Sequence, residues 1–431
     1  MKKFLVLALA VCAFFSCSKK DAQVTANKGA KVTAYLRTWP MNHWDSNPVN
    51  WKASDIKGEY LTDLIISFAN IDAADGTSIF IPSVESRTAY GKQPSENPNI
   101  AIEKKPTDET FKNLWTEVAA IAKKYPALKI HISIGGWEAD GFSAMSADQA
   151  KKIVFIDNVL KYVKEYNLDG VDIDWEYPVG PEWGGLPIDV SPADKDNYVA
   201  LLRDLRAALD TLSRETKKTY SLSSAIPASG WFAATNDLAE ASKYLDTFKL
   251  MAYDYFGGWT ATTGHHANLY ISPQDTTQWP GSTDSYIQAY LASGVPANKI
   301  SLGVGTYGRA WKGVPDGGTH GLYQTVDKAN GGGAVFNDNN PDKGTISWSN
   351  GSPNIKELLK DPAYQRYYDD VAKQPYLYNE SDKIFVSYTD EQQIKDLSAY
   401  AKEKGLAGVF YWEYGHDKDG ELLKIMADNS K

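Results

Sequence analysis

The sequence LDGVDIDWEYP occupies positions 168–178 and places three acids, Asp172, Asp174 and Glu176, at alternate positions. Successive side chains of a β-strand point to opposite faces, so a strand here would put the three carboxyl groups on one face. The residues between them are apolar: Val171, Ile173 and Trp175. Like charges and desolvation both oppose ionisation of buried carboxylates. The pattern therefore predicts a buried strand that holds a proton for acid catalysis.

Short apolar runs alternate with amphipathic helical stretches along the rest of the chain, which predicts a parallel (β/α)8 TIM barrel. The candidate strands are Val32–Trp39, Leu61–Ile71, Leu128–Gly135, Gly170–Glu176, Tyr220–Ile226, Thr247–Tyr255, Ile300–Tyr307 and Ala407–Trp412. The candidate helices include Thr107–Lys124, Ser146–Tyr166, Pro192–Thr216 and Gln392–Lys404. An open doubly wound sheet is the alternative, and the absence of a Gly-rich dinucleotide fingerprint after the first strand weakens it.

The interval between the seventh and eighth candidate strands is longer than one helix requires. Residues 311–384 are rich in Gly, Asn, Tyr and Pro, and a structureless loop of that length is unusual in a compact domain. We therefore expect an α+β insertion there, with residues 30–310 and 385–428 forming the two parts of the barrel.

The N-terminus has the pattern of an export signal. Lys2 and Lys3 precede an apolar run, Phe4–Phe15, which is too short for a comfortable membrane-spanning helix. The following Phe14-Phe15-Ser16-Cys17 is similar to a bacterial lipobox, which predicts a signal peptide over 1–16, lipidation of Cys17 and a polar tether over 17–29. Ordinary cleavage near Ser16–Ser18 is the alternative. We expect an exported, lipid-anchored protein of the cell envelope or surface, or a secreted one.

Composition narrows the classes of partner. The formal net charge of −9 argues against a nucleic-acid partner, which requires a basic patch. Six scattered His and two Cys, one of them inside the signal, offer no zinc-type ligand set. The 13 Trp and 26 Tyr either fill the core or line a groove for a neutral ligand such as a sugar polymer, and composition leaves both possibilities open.

Chemically marked residues gather at the ends of four predicted strands. These motifs are Ser133-Ile-Gly-Gly-Trp137, the acidic cluster, Met251-Ala-Tyr-Asp-Tyr-Phe-Gly257 and Trp412-Glu-Tyr-Gly-His-Asp417. Each has a structural explanation by itself, such as a tight turn or a core ring. Active sites of TIM barrels lie at the C-terminal ends of the strands, so their shared position favours a functional site.

These motifs resemble those of glycoside hydrolase family 18 chitinases. Residues 169–176 fit the DGxDxDxE pattern without a gap, Ser133–Gly136 matches SxGG, and Met251–Asp254 matches MxYD. Gly303–Arg309 resembles the seventh strand of the chitinases that carry an α+β insertion. The similarity extends from about Lys31 to Ile425.

The resemblance implies a role for each acid. Glu176 would be the general acid, Asp174 would orient the substrate's acetamido group, and Asp172 would share a proton with Asp174. Tyr253 would donate a hydrogen bond to the acetamido oxygen, which attacks the anomeric carbon in place of a protein nucleophile. Asp254 and Arg309 would bind sugar hydroxyls, and Trp412 would lie beneath the distorted sugar. The other substrate-binding positions implied are Tyr35, Gly136, Trp137, Tyr177 and Met251.

The resemblance also implies a monomer that needs no cofactor or metal and acts on chitin or chitooligosaccharides. Three alternatives remain. An endo-β-N-acetylglucosaminidase acting on N-glycans would share the acidic motif, a chitin-binding protein would have lost the acid that Glu176 supplies, and a metal site would use the acids as ligands. Metal loops of the EF-hand type place acids in a turn around a Gly, which is unlike the alternation here.

Overall fold

The computed structural model describes residues 29–38, 51–81, 108–137, 139–180, 188–277, 280–336 and 344–430. The predicted signal peptide, Cys17 and most of the predicted tether lie outside these ranges.

Eight parallel strands form a closed barrel, as predicted. They are β1 (Lys31–Arg37), β2 (Asp63–Ile71), β4 (Lys129–Gly135), β5 (Gly170–Asp174), β6 (Ser221–Pro227), β7 (Thr247–Met251), β8 (Ile300–Gly305) and β15 (Gly408–Trp412). Their order around the barrel is β1, β15, β8, β7, β6, β5, β4 and β2, and β1 also pairs with β2. This last pairing removes both sheet edges and excludes the open doubly wound alternative. A two-residue strand, β3 (Ile79–Phe80), pairs antiparallel with β2.

Alternation along the strands separates an apolar outer layer from a more polar interior. On β5, Val171 and Ile173 are fully buried in the large core between the strands and the helices. Complete burial of a side chain of this size contributes roughly 1.5–3 kcal/mol to stability. Asp172 has the opposite orientation and is also fully buried, inside the barrel. The same alternation that builds the core thus directs the acids inward.

Helices connect most of the barrel strands. They are α1 (Asp108–Lys124), α2 (Phe142–Ala147), α3 (Gln149–Glu165), α4 (Asp194–Thr216), α5 (Gly230–Thr235), α6 (Leu238–Ala241), α7 (Thr283–Ala292), α9 (Glu391–Glu403) and α10 (Glu421–Ser430). The prediction of one helix over Ser146–Tyr166 is wrong, because Asp148 adopts an extended conformation and its side chain caps α3 by accepting from the Ala150 and Lys151 N–H groups. Within the described ranges, no helix combines the length and apolarity needed to cross a membrane.

A second sheet lies between β8 and β15, where an insertion was predicted. Its strands are β9 (Tyr307–Lys312), β10 (Gly333–Ala334), β11 (Thr345–Ser347), β12 (Gln365–Asp369), β13 (Gln374–Asn379) and β14 (Ile384–Tyr388), accompanied by the short helix α8 (Ile355–Leu358). All of its pairings are antiparallel. Because β9 begins directly after β8, the inserted sheet is continuous with the rim of the barrel.

Candidate active site

Strand β5 carries two of the three acids to the C-terminal end of the barrel. Asp172 and Asp174 lie in the strand, with exposed fractions of 0% and 3%. The strand ends at Asp174, so the predicted extension to Glu176 is wrong. The loop after the strand, rather than the pleat, therefore sets the position of Glu176, which is 7% exposed.

Three hydroxyl groups from three other strands donate to Asp172. Tyr35 on β1 donates at 2.8 Å and Ser133 on β4 at 2.7 Å, both to Oδ2. Ser223 on β6 donates to Oδ1 at 2.5 Å. Burial, followed by the charges of Asp172 and Asp174, raises the pKa of Tyr35 well above 10, so its hydroxyl remains a donor. Ser223 was not predicted, although it lies in register with Asp172 on the adjacent strand.

Asp174 is buried, and one of its carboxyl oxygens is available to accept a hydrogen bond. Its Oδ1 has no hydrogen-bond partner among the described residues. Burial, and then the charges of Glu176 and Asp172, raise the pKa of Asp174 well above its usual range. The carboxyl group can therefore hold a proton in a place where an isolated aspartate would be ionised.

Two glycines at the C-terminal end of β4, Gly135 in the strand and Gly136 directly after it, leave room for the end of β5. A Cβ atom on Gly135 would lie 2.0 Å from the carbonyl oxygen of Asp174, and one on Gly136 would lie 2.8 Å from the ring of Phe68. Both residues also have positive φ, at +118° and +101°. Gly136 donates its N–H to the Asp174 carbonyl at 2.9 Å. These glycines permit close approach to β5, which a tight turn alone would not require.

Glu176 has the protonation behaviour of a general acid. Burial is the main cause that raises its pKa to about 7. Hydrogen bonding with Tyr177 opposes the rise, and the charge of Asp254 adds to it. A carboxylic acid with this pKa still holds its proton in a large fraction of molecules near neutral pH, which suits general-acid catalysis.

Asp254 and Arg309 form an ion pair beside these acids. Arg309 Nε donates to Asp254 Oδ1 at 2.8 Å, and its Nη1 donates to Thr345 Oγ1 at 2.7 Å. Burial by itself would raise the pKa of Asp254, but Arg309 lowers it, with help from Tyr307. The predicted strand Thr247–Tyr255 ends at Met251, so Asp254 lies in the following loop, with a φ of 63°. Arg309 and Thr345 belong to β9 and β11, which brings the inserted sheet into the site.

Tyr253 projects its ring into the barrel mouth. It makes edge contacts with Tyr307 at 6.2 Å and with Phe410 at 6.4 Å between ring centroids. Burial and the charge of Asp174 raise its pKa well above 10, so the hydroxyl is a neutral donor. Met251 is half-buried and packs against the same cluster of side chains inside the barrel as Tyr253, the cluster that contains Phe410.

Aromatic rings line this end of the barrel. Trp412 stacks on Phe68 with a centroid distance of 5.5 Å and contacts Tyr35 at 5.7 Å. Trp137 is 52% exposed and meets Tyr177 edge-on at 6.5 Å. Exposed flat rings of this kind can bind the apolar faces of sugars.

Trp259 is a candidate binding residue that sequence reasoning missed. It is 57% exposed, and Arg309 Cζ lies 4.9 Å from its ring centroid. Its position five residues after Asp254 was the available signal, since loops after barrel strands build the active-site face. Within the described ranges, no group of three or more His, Cys, Asp or Glu side chains could hold a metal ion.

Comparison with known proteins identifies the family. The family model described as "Glycosyl hydrolases family 18" matches residues 32–417. The chain belongs to glycosyl hydrolases family 18. This confirms the family resemblance stated from the acidic, SxGG and MxYD motifs.

Two relatives named as chitinases match over most of this chain. Chitinase A1 of Niallia circulans is 38% identical over 315 residues, covering 70% of this chain and 43% of that protein. This chain thus spans less than half the length of that relative. Chitinase 1 of Aphanocladium album is 32% identical over 388 residues, covering 88% of this chain and 81% of that protein.

Solved structures share the fold of this chain. Chitinase ChiA74 from Bacillus thuringiensis superposes with a TM-score of 0.77 at 29% identity, covering 93% of this chain and 70% of that chain. A family-18 N-acetylglucosaminidase from Paenibacillus barengoltzii gives a TM-score of 0.71 at 31% identity, covering 93% and 99%.

Proposed function

We propose that this protein is a chitinase. It hydrolyses β-1,4-linked N-acetylglucosamine polymers and oligosaccharides with retention of configuration, through attack by the substrate's own acetamido oxygen. The names of its relatives support the substrate class. The deep acidic cluster and its aromatic surroundings support the chemistry.

One observation carries the proposal: the buried Asp174 Oδ1, which has no partner among the described residues, near a protonatable Glu176. An acetamido N–H is a neutral donor that could satisfy this oxygen, and leaving it unsatisfied is costly. A sugar without the N-acetyl group would offer neither this donor nor the attacking oxygen.

In the first step, Glu176 donates its proton to the glycosidic oxygen as the bond from that oxygen to C1 breaks. The acetamido carbonyl oxygen forms a bond to C1 and gives an oxazolinium ion, while the reducing-end sugar leaves as an alcohol. Asp174 accepts from the acetamido N–H and stabilises the positive charge. Tyr253 donates to the acetamido oxygen and orients it for attack.

In the second step, Glu176, now a carboxylate, takes a proton from water. The resulting hydroxide attacks C1 from the face that the leaving group occupied, and the bond from C1 to the acetamido oxygen breaks. Two inversions give net retention. Asp172, which accepts hydrogen bonds from three hydroxyls, shares a proton with Asp174 as that residue changes its charge.

The remaining residues bind the sugar chain. Trp412 lies beneath the distorted sugar, and Trp137 and Trp259 extend the aromatic surface along the groove. Asp254 binds a sugar hydroxyl through its carboxylate, and Arg309 holds Asp254 in place. No cofactor or metal enters this scheme, and we propose that a monomer suffices.

A second function has a specific observation in its favour. The Paenibacillus barengoltzii protein matches almost end to end and is named an N-acetylglucosaminidase. Its name favours a second candidate function, the release of single sugars. An endo-β-N-acetylglucosaminidase acting on N-glycans is a further candidate that shares the acidic motif. The inserted sheet favours the chitin-type assignment, because it can wall a groove for a linear polymer.

A product profile tests these functions against each other. The protein is incubated, with EDTA present, with N-acetylated chitotetraose, its fully deacetylated counterpart and a high-mannose glycoprotein. We expect chitobiose or mixed oligosaccharides from the first substrate, with the β-anomer forming first, and nothing from the others. Monosaccharide alone would favour the N-acetylglucosaminidase, and a released glycan the endoglycosidase. Efficient cleavage of the deacetylated substrate would refute substrate assistance.

We further propose that the protein is exported and anchored by a lipid on Cys17, with residues 17–29 as a tether. The lipobox-like sequence supports this. Secretion after ordinary cleavage is the alternative.

A further inference from the structure

A buried ion pair joins the end of β1 to the residue that follows β15. Arg37 is the last residue of β1, and Glu413 directly follows Trp412; their exposed fractions are 4% and 0%. Arg37 Nε lies 3.1 Å from Glu413 Oε1. The parallel pairing of the two strands ends at Ala34 and Tyr411, so the ion pair links the two chain segments beyond the backbone ladder.

His416 also approaches Glu413, but as a neutral ring. Its Nε2 lies 3.4 Å from Glu413 Oε1. Burial, followed by the charges of Arg37 and Arg309, lowers the pKa of His416 well below its usual range. The positive charge that faces this oxygen therefore comes from Arg37, since a guanidinium stays charged in proteins. A buried carboxylate with such a partner is tolerated, whereas the same charge without it is costly.

The chain after Trp412 is shaped around this ion pair. Gly415 donates its N–H to Glu413 Oε2 at 3.0 Å. A Cβ atom on Gly415 would lie 2.9 Å from Glu413 Oε1 and 3.3 Å from Arg37 Nε, so a larger residue there would push against both charged groups. Arg37 is held in turn, because its carbonyl oxygen accepts from Trp51 Nε1 at 3.0 Å. The ion pair thus has a fixed partner on each side.

The ion pair lies next to two residues of the proposed active site. Tyr35 is two positions before Arg37, and its ring centroid lies 5.7 Å from that of Trp412, the residue before Glu413. Thr306 Oγ1 donates to the carbonyl oxygens of Trp412 and Glu413, at 3.2 and 3.1 Å. A shift of Glu413 would therefore carry the Trp412 indole with it, relative to Tyr35.

We propose that Arg37 and Glu413 are positioning residues for catalysis: their ion pair fixes the Trp412 indole beneath the sugar at the cleavage site. This inference rests on the proposed function and deepens it. In that scheme neither residue touches the reacting atoms. Displacement of Trp412 should weaken binding of the transition state and of the oxazolinium intermediate more than binding of the ground-state oligosaccharide, which the rest of the groove also holds.

The test is the inhibition constant, Ki, of a chitobiose-derived thiazoline for Arg37→Met, Glu413→Gln and the double variant. Sulfur replaces the acetamido oxygen of the oxazolinium ring in this compound, so it reports on the cleavage site. We expect each single variant to raise Ki, and to lower kcat on N-acetylated chitotetraose, by about tenfold, with KM changed less than about threefold. The double variant should resemble the more impaired single variant, because both changes remove the same interaction. Arg37→Lys retains the charge and should recover part of the loss.

Arg366→Met is the matched control. It breaks another ion pair between an arginine and a carboxylate, in which Arg366 Nη2 lies 2.7 Å from Asp390 Oδ2, and Arg366 belongs to β12 of the inserted sheet. We expect its Ki to equal that of the wild type. An equal rise in this control would overturn the inference, because the effect would then follow from the loss of any such ion pair.

Ki does not depend on the fraction of the protein that is folded. A merely structural ion pair would therefore lower kcat and leave Ki unchanged, and that result, or additive effects in the double variant, would overturn the inference. If Arg37→Met fails to fold, the double variant, which carries neither charge, decides by its Ki alone. Wild-type protein inactive on chitotetraose would contradict the proposed function and this inference with it, whereas active wild-type protein with unchanged Ki in the variants would contradict only the inference.

Discussion

Replacement of Glu176 by Gln should remove activity and stabilise the fold at the same time. Glu176 is buried, and its pKa rises from an ordinary value of 4.5 to about 7. The folded protein therefore binds this proton more tightly than the unfolded chain. Ionisation of Glu176 then costs stability progressively as the pH rises from about 4.5 to 7, and in full above 7.

The magnitude follows from the two pKa values. Each pKa unit corresponds to about 1.36 kcal/mol, so the rise from 4.5 to about 7 corresponds to roughly 3 kcal/mol. Gln fills the same space and does not ionise. For cooperative unfolding of a chain of 431 residues, this free energy corresponds to a Tm increase of about 3–4 °C. The increase should be present at pH 8.5 and absent at pH 4.5.

Differential scanning calorimetry at the two pH values, together with turnover on chitotetraose, measures both effects. Glu403→Gln is the matched control, because the Glu403 side chain is 70% exposed and lies on α9. We expect turnover of Glu176→Gln to fall by at least about 100-fold, as for loss of a general acid, and that of the control to be unchanged. A Tm difference independent of pH would refute the burial argument, and near-full activity would refute the assignment of the acid.

Two further predictions concern the neighbouring charge and the anchor. Asp254→Asn should shift the alkaline limb of the kcat/KM profile to lower pH. The charge of Asp254 adds to the rise in the pKa of Glu176, so without it Glu176 would lose its proton at a lower pH. An unshifted limb in stopped assays from pH 5 to 9 would contradict this. Cys17→Ser should move the protein from the membrane fraction to the soluble fraction of its host and abolish incorporation of labelled palmitate, and equal labelling of both proteins would disprove lipidation.

Much of the barrel and the acidic cluster could be predicted because the relevant information is local. Alternation of Asp172 with Val171 and Ile173 defines a buried strand from adjacent residues alone. The convergence of parallel strand ends then brings Gly136, Tyr253 and Trp412 to the same rim. The prediction was less accurate at element ends, as at Asp148, where a side-chain cap interrupts the predicted helix.

The remaining features depend on contacts between residues far apart in the chain. Ser223 reaches Asp172 across 51 positions, and Arg309 reaches Asp254 across 55. The strand register and the placement of the inserted sheet decide such pairs, and neither is encoded in any short motif. Trp259 likewise gained a role only from its surroundings.

By itself, the sequence determined which residues can carry the chemistry: three acids at alternate positions within a family-18 motif. Only the tertiary structure decided the state of each acid. Barrel closure places the Tyr35 and Ser223 hydroxyls on Asp172, leaves Asp174 Oδ1 without a partner among the described residues, and buries Glu176 enough to raise its pKa to about 7. The physical reason is that protonation depends on desolvation and on charges a few ångströms away in space, whatever their distance along the chain.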